Sequence, residues 1–484
     1  MKFTNSFTHL DTIFYERVLP EPVPKPTIFL WNSCLAKDLS LTDDLDSLPE
    51  DFTQVFSGNT ILNSSEPIAL AYAGHQFGSF VPQLGDGRAH LLGEIVDCFN
   101  QTKEVQLKGS GRTPFSRNGD GRYALGPAIR EYIMSESMHA LGIPTTRSLA
   151  VTTTGETVYR KSPQPGAILT RIASSHIRVG TFEYLAAKQN HQALKQLSEF
   201  TIFRHYPDLI EAGEEKFSLL LKQVIERQIK LVIEWLRVGF IHGVMNTDNT
   251  AISGETLDFG PCAMMGIYNP ETVFSSIDKQ GRYSYGNQPA MAHWNMARFA
   301  EAILPLIDTN EARAIDIAGS QIETFSKRFK EEYLLMMSKK LGLLQPHPAD
   351  HKLIFGLLES MQKQQLDYTI IFNQLTQSLS LKSAEQHLHQ ELGNWYTAWK
   401  QRVENQPQTL SDSQATMKQV NPVVIPRNHH MENTITTCLE SSDAHAAEEF
   451  LEILRTPYNV TNKTPPFQAA AKDSDIGYQT FCGT

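Results

Sequence analysis

The stretch His242 to Gly260, HGVMNTDNTAISGETLDFG, gathers the residue types that hold a divalent metal against a triphosphate. Asn249 offers a neutral amide oxygen, and Asp258 offers an anionic one further along. Both are hard donors suited to Mg²⁺ or Mn²⁺, and such a cation bridges phosphate oxygens. Gly260, after Asp258-Phe259, lets the chain turn sharply beside a ligand. Kinases place a catalytic Asp early in such a loop, an Asn after it and a DFG Asp beyond. In this chain the early position is Val244, which cannot take a proton from a hydroxyl. Asp248 is the only carboxylate between His242 and Asn249. The metal-binding half of a kinase site is therefore present and its usual base is missing. Taken alone, the stretch also fits a helix-loop-strand turn in which Asn and Asp satisfy the backbone.

Cationic residues cluster upstream. Gly85-Asp86-Gly87-Arg88 is a glycine turn feeding a strand, where backbone N–H groups and Arg88 can cradle phosphate. Lys108 ends the strand VQLKG, and Glu131 lies on the helix that follows. A strand lysine paired with a helix glutamate is the kinase device for orienting phosphates; a surface Lys and a surface Glu are the plainer alternative. Arg112, Arg117, Asp120, Gly121 and Arg122 are crowded together, and Arg171 and Arg178 flank TRIASSHIR. So many guanidinium groups within a chain of net charge −10 point to a cleft that an anion fills.

The elements that must position these residues follow from the texture of the chain. Short apolar runs alternate with glycine turns from Pro82 to Ala173, which reads as strands and hairpins. Gly126 to Gly142 breaks that pattern with helical spacing. Lys216 to Gly239 is an amphipathic helix stopping at glycine. Ala292 to Leu304 is another, ended by Pro305, and Gln321 to Gly342 a third. The Gln-rich stretch 362–390 reads as solvated helix faces, and 406–419 as a linker. The expected fold is α+β and bilobal. Residues 1–65 form an N-terminal extension with a Pro-rich patch and acidic turns at Asp43 to Asp51. Residues 66–190 form a strand-rich N-lobe with the nucleotide-binding elements, 191–405 a helical C-lobe with the metal loop, and 406–484 a C-terminal extension.

Bulk properties narrow the function. The length of 484 residues suits two lobes with real cores. An acidic chain lacks the positive footprint that nucleic acid or anionic membrane requires. No apolar run approaches the roughly 18 residues of a membrane span, and the first twenty residues lack the apolar core of a secretory signal. The five cysteines show neither a CxxC pair nor zinc spacing. A cytoplasmic monomer is the expectation.

Several long blocks carry a more specific likeness. YAGHQFGSFVPQLGDGRA (72–89), QLKGSGRTPFSRNGDGRYALGPAIREY (106–132), GAILTRIASSHIRVGTFEY (166–184), FIHGVMNTDN (240–249), LDFGPCAMM (257–265) and YGNQPAMAHWNMARFA (285–300) resemble the selenoprotein O family, also called the YdiU family. NPVVIPRNHHMENT (421–434) and the terminal Cys482 fit as well. The resemblance implies a protein-kinase-like fold that binds ATP in reversed orientation. AMP then passes to Ser, Thr or Tyr hydroxyls of proteins and pyrophosphate leaves. It implies nucleotide contacts from Gly85, Gly87, Arg88, Lys108, Asp120, Gly121, Arg171, Arg178 and Asp258. It also implies metal ligation by Asn249 and Asp258, a proton acceptor at Asp248, and Glu131 as the partner of Lys108. A catalytically inactive nucleotide-binding pseudokinase is the alternative, as is uridylyl transfer from UTP with Mn²⁺. A conventional kinase is disfavoured by Val244.

The family typically ends in selenocysteine or cysteine followed by two small residues; this chain ends Cys482-Gly483-Thr484. Cys482 is a candidate redox switch, with Cys262 as a candidate partner thiol. Blander roles fall to other residues. His242 braces its loop through the backbone, His429-His430 packs or caps, Phe259 packs in its turn, and Trp235 and Trp294 anchor helices in the core.

Overall fold

The computed structural model describes residues 1–42, 50–470, 475 and 477–481. The acidic turns at 43–49 and the terminal Cys482 lie outside the described residues. The strand-rich part is one antiparallel sheet. Its strands are β1 (Tyr15–Arg17), β2 (Thr27–Trp31), β3 (Ile68–Leu70), β6 (Ala89–Val96), β7 (Thr102–Lys108), β9 (Arg147–Tyr159) and β10 (Pro163–Ala173), in spatial order β1-β3-β6-β7-β10-β9-β2. The short β8 (Tyr123–Ala124) pairs with β10. A separate hairpin, β4 (Gly74–Gln76) and β5 (Ser79–Val81), stands off this sheet. The segment read as an N-terminal extension therefore supplies both edge strands of the sheet. Their signal was weak because each is short and set among prolines.

Two faces of the sheet explain its sequence. On one face Leu92, Val105, Leu107, Leu149, Ile168 and Ile172 pack with Leu35 and Ala36 of α1 (Ser33–Asp38) and Phe52 and Phe56 of α2 (Glu50–Phe56). On the other lies α3 (Leu125–Ala140), whose Ala128, Ile129, Ile133 and Met138 are buried. Helix α3 is buried nearly all round, its polar Glu131, Ser135, Glu136 and Ser137 included, because the C-terminal helices cover its far side. That sandwiching fixes Glu131 in the interior, where it is 1% exposed.

The helical part begins with α4 (Val179–Ala187) and α5 (His191–His205). Then α6 (Lys216–Val238), α7 (Gln288–Ile307) and α8 (Glu311–Lys340) pack against one another. Helix α6 buries Leu220, Val224, Leu231 and Trp235 and stops at Gly239, as its spacing predicts. The paired strands β11 (Phe240–Ile241) and β12 (Ala263–Met264) close the base of the metal loop. Helix α7 does not end before Pro305. It runs to Ile307, because the proline falls in the last turn, where one lost hydrogen bond is offset by the buried Ile303 and Ile307. Helix α8 starts earlier than its apolar pattern suggests, at an Asn310 N-cap.

Helices α9 (His351–Gln364), α10 (Tyr368–Ser378), α11 (Lys382–Leu392) and α12 (Asn394–Glu404) follow, and Gln362, Gln386 and Gln390 are exposed as expected. The reading of 406–419 as a linker is overturned. Residues Leu410–Val420 form α13, started by a Thr409/Asp412 capping box and buried through Ser413 and Met417. Gln406 is itself buried and donates to the Gly342 carbonyl. Helices α14 (Asn428–Ser441) and α15 (His445–Leu454) then return to α3. Among the described residues, no helix is long and apolar enough to cross a membrane.

This return path ties the C-terminal region to the metal loop. Asn428 accepts from the Met264 backbone N–H at 3.1 Å, and its amide donates to the Met264 carbonyl at 2.9 Å and to Asp475 at 3.0 Å. Asn428→Ala should lower the unfolding free energy by about 1–3 kcal/mol, since buried groups of β12 lose their partners. A denaturant midpoint equal to wild type would show that the tie is dispensable.

Candidate active site

A cleft of about 740 Å³ lies between the sheet and the metal loop. Its size suits a nucleotide. The lining includes Gly85, Gly87, Arg88, Lys108, Asp120, Gly121, Arg171, Arg178, Asp248, Asn249 and Asp258. Every residue expected to touch nucleotide or metal thus borders one cavity. Glu131 stands behind it.

The electrostatic centre is Glu131. Its Oε2 lies 2.6 Å from Lys108 Nζ and its Oε1 lies 2.5 Å from Arg171 Nη2. One carboxylate on α3 therefore aims two cations, Lys108 of β7 and Arg171 of β10, at the cleft. Lys108 also reaches Asp258 Oδ1 at 3.2 Å. Burial alone would raise the Glu131 carboxyl, but Lys108 and Arg171 outweigh it and keep it ionised below its ordinary range. The same holds for Asp258: Lys108, Arg171 and Arg88 override its burial and hold it well below the usual carboxylate range. Asp258 has φ of 71°, an unusual conformation for a residue with a side chain, and its Oδ1 also accepts from Gly260 N–H. The backbone is bent there to present the carboxylate to the cleft.

Arg178 is placed by a second buried pair. It donates to Asp86 Oδ1 at 3.2 Å and stacks over the Tyr72 ring at 4.1 Å. Asp86 Oδ2 accepts from Gln106 and from Leu70 N–H. The aspartate of the Gly-Asp-Gly turn thus points inward and orients an arginine, while Arg88 lies over the Tyr123 ring at 4.6 Å. The glycines of this turn answer to packing. Gly85 has φ of 85°, and a Cβ there would sit 2.3 Å from the Phe115 ring. The loop 113–122 folds over the turn and is held by the Thr113 hydroxyl on the Asp86 carbonyl.

Asp120 borders the cleft, but its carboxylate is occupied. It receives two bonds from Arg160, at 2.7 and 3.0 Å, and one from Arg122 N–H. Its Arg160 hydrogen bonds hold its carboxyl below the ordinary range. Asp120 accordingly anchors the loop to the β9–β10 hairpin. Arg160 is a cleft residue not singled out from the sequence; it lies in the turn between β9 and β10, outside the family-like blocks.

The metal loop is braced from several sides. His242 Nε2 meets the Leu257 carbonyl at 3.1 Å, and its Nδ1 accepts from Val244 N–H. Asn249 donates its amide to the Val244 carbonyl at 3.0 Å, which turns its side-chain oxygen away from that bond. Val244 lines the cleft where a kinase base would stand. Asp248 lines it too, with its carboxyl pushed up to about 6 by burial, against the pull of Gln76 and Arg178. Phe259 is fully buried and Trp235 donates its indole N–H to Thr256, as core roles require. Trp294 is not a core anchor. It is half-buried, packs edge-on to His75 and carries Arg282 and Arg298 over its ring. His429 and His430 pack together, with His430 also against Phe450 and Phe467.

The donor set fits a divalent cation held jointly with phosphates. Among the described residues, no cluster of three His, Cys, Asp or Glu is arranged as a self-sufficient metal cage. One amide oxygen and one ionised carboxylate, with open cleft beside them, match Mg²⁺-type binding completed by substrate oxygens.

A family profile described as "Protein adenylyltransferase SelO" matches residues 1–455. The chain belongs to the SelO family. It is 50% identical over 485 residues, the full length of both, to "Protein nucleotidyltransferase YdiU" of Teredinibacter turnerae. Proteins of the same name from Nitrosococcus oceani and Brevibacillus brevis are 49% and 50% identical, with all of this chain and 97% of each relative covered. The chain is thus a nucleotidyltransferase by family, on a mixed α+β, protein-kinase-like bilobal fold.

Cys262 does not suit the partner-thiol role expected for it. Its thiol is fully buried, donates to the Phe259 carbonyl and is pushed far up by burial. Among the described residues, Cys34 and Cys98 are the exposed thiols.

Glu131→Gln removes the charge shared by two buried cations. It should destabilise the protein by about 3–5 kcal/mol, as breaking buried pairs does. Denaturant unfolding within about 1 kcal/mol of wild type would contradict the central place given to Glu131.

Proposed function

We propose that this protein transfers AMP from ATP to Ser, Thr or Tyr hydroxyls of other proteins, with pyrophosphate as leaving group. The observation that carries this reading is the pairing of Val244 with Asp248. The kinase base position is apolar, while a different carboxylate borders the same cleft. A nucleotide lying reversed, with its α-phosphate toward Asp248, makes sense of both. Gly85, Gly87, Arg88, Lys108, Gly121, Arg171 and Arg178 then surround the nucleotide, with Asp120 at the margin.

Asn249 and Asp258 would hold the Mg²⁺ or Mn²⁺. When bound, that ion neutralises phosphate charge and steadies the leaving oxygens. The protein's own residues do the rest. Asp248 takes the proton from the acceptor hydroxyl. The acceptor oxygen forms a bond to the α-phosphorus, and the bond from that phosphorus to the bridging oxygen of the β-phosphate breaks. Lys108, Arg171 and Arg178 stabilise negative charge as it moves onto pyrophosphate. Buried carboxylates hold these cations in place beforehand, so little reorganisation accompanies transfer.

The curated relatives are named for nucleotidyl transfer without a stated base. UTP with Mn²⁺ is therefore the second reading, and protein substrates are the partners in either case.

The test is incubation with α-labelled and γ-labelled ATP and Mg²⁺ or Mn²⁺, with α-labelled UTP in parallel. Label on protein from the α-position alone is expected. Label from the γ-position alone would establish phosphate transfer instead, and ATP binding without any label would favour an inactive module. Asp258→Ala should reduce α-label transfer on the order of 100-fold or more. Lys108→Ala should chiefly weaken productive ATP binding.

A further inference from the structure

The β4–β5 hairpin borders the cleft and has no part in the chemistry above. It is fastened to the metal loop by two backbone bonds and by a bridge through Glu183 of α4. His75 N–H donates to Thr247 Oγ1 at 2.7 Å. The Thr247 hydroxyl donates to Glu183, whose other oxygen lies 2.5 Å from His75 Nδ1. Phe77 N–H donates to Asn246 Oδ1 at 3.1 Å, and the Tyr283 hydroxyl donates to the same oxygen at 2.7 Å. These bonds use the hairpin backbone and the residues on either side of Gln76.

Gln76 itself points at Asp248. Its Nε2 donates to Asp248 Oδ2 at 3.2 Å, and it is the one side chain among the described residues that hydrogen-bonds this carboxylate. Asp248 Oδ1 is buried and has no hydrogen-bond partner. It faces Gly74, where a Cβ would come within 2.7 Å of it. On another side, a Cβ at Gly180 would lie 3.3 Å from Asp248 Cα. Two glycines thus let the neighbouring backbone close around the aspartate. An acceptor can then meet the carboxylate only through Oδ2, the oxygen that Gln76 holds.

We propose that Gln76 is a positioning residue for nucleotidyl transfer: its amide fixes Asp248 Oδ2 so that an acceptor hydroxyl meets a carboxylate already aimed along the line of attack. The proposal rests on the reading of Asp248 as proton acceptor. The amide occupies one lone pair of Oδ2 and leaves another for the incoming O–H. Without it, the side chain can rotate, and small misplacements of a reacting group cost rate steeply. Because the hairpin is pinned by its backbone and by His75, loss of the Gln76 amide leaves the fold in place.

The experiment measures kcat and KM for ATP, with Mg²⁺ or Mn²⁺ and a fixed acceptor protein. It compares wild type with Gln76→Met, Gln76→Glu, Asp248→Asn and the double variant Gln76→Met/Asp248→Asn. Gln76→Met keeps the length and removes the donor. It should lower kcat on the order of 10- to 100-fold, with KM for ATP and thermal midpoint close to wild type. Gln76→Glu sets a second carboxylate against the first and should fall at least as far. In the Asp248→Asn background, Gln76→Met should cost nothing further, since one residue acts through the other. Wild-type kcat in Gln76→Met or Gln76→Glu, with Asp248→Asn inactive, overturns the role of Gln76 and leaves the base intact. Additive losses in the double variant, or lost ATP binding in Gln76→Met, also overturn it. Wild-type kcat in Asp248→Asn overturns the base itself, and with it this inference.

Discussion

The arrangement depends on one buried carboxylate holding two cations. Glu131 cannot stay ionised in the interior unless Lys108 and Arg171 remain beside it, and neither cation can stay buried without Glu131. Three separate elements, β7, β10 and α3, are locked in register by that mutual need. The sheet face, the buried helix α3 and the C-terminal helices that cover it all serve to keep Glu131 dry. Lys108 carries the constraint across the cleft to Asp258, so the sheet and the metal loop share one electrostatic network. Asp86 repeats the device with Arg178. The result is a cleft whose cations are fixed before any phosphate arrives, which is the condition for electrostatic catalysis without reorganisation.

Two different environments separate the acidic residues by role. Asp258 sits among cations and stays charged, the form its proposed role as a metal ligand requires. Asp248 is enclosed by neighbouring backbone with fewer charges near it, and burial lifts its carboxyl. Its distinctness from Asp258 comes from this surrounding, since the two residues are chemically the same. The β4–β5 hairpin and the N-terminus of α4 provide that enclosure.

Much of this was legible in the sequence because the chemistry needs particular residue types at short spacing. Asn249, Asp258 and the Lys108–Glu131 pair stand in local patterns, and the structure places the first two and Lys108 on one cleft with Glu131 behind it. The α+β order was equally legible, since period-two runs with glycine turns give way to helical spacing near α4. What escaped were contacts made by distant segments. Arg160 and Gln76 reach the cleft from hairpins whose residue types alone do not mark them, although Gln76 lies within the family-like block 72–89. Trp294 looked like a core residue because an aromatic on a helix usually is one, yet its neighbours are His75 and two arginines. The linker reading of 406–419 failed for a different reason. Its polar composition outweighed the Thr409/Asp412 cap and the Ser413/Met417 spacing, which together specify a helix. The edge strands β1 and β2 were too short to register.

The central claim is that the fixed cations hold the nucleotide with its α-phosphate, and not its γ-phosphate, toward Asp248. The most direct measurement is a crystal structure of the full chain with Mg²⁺ or Mn²⁺ and a non-hydrolysable ATP analogue. The account predicts the α-phosphorus nearest Asp248, the metal on Asn249 and Asp258, and the outer phosphates among Lys108, Arg171 and Arg178. A γ-phosphate directed at Asp248, in the orientation of an ordinary kinase, would contradict it.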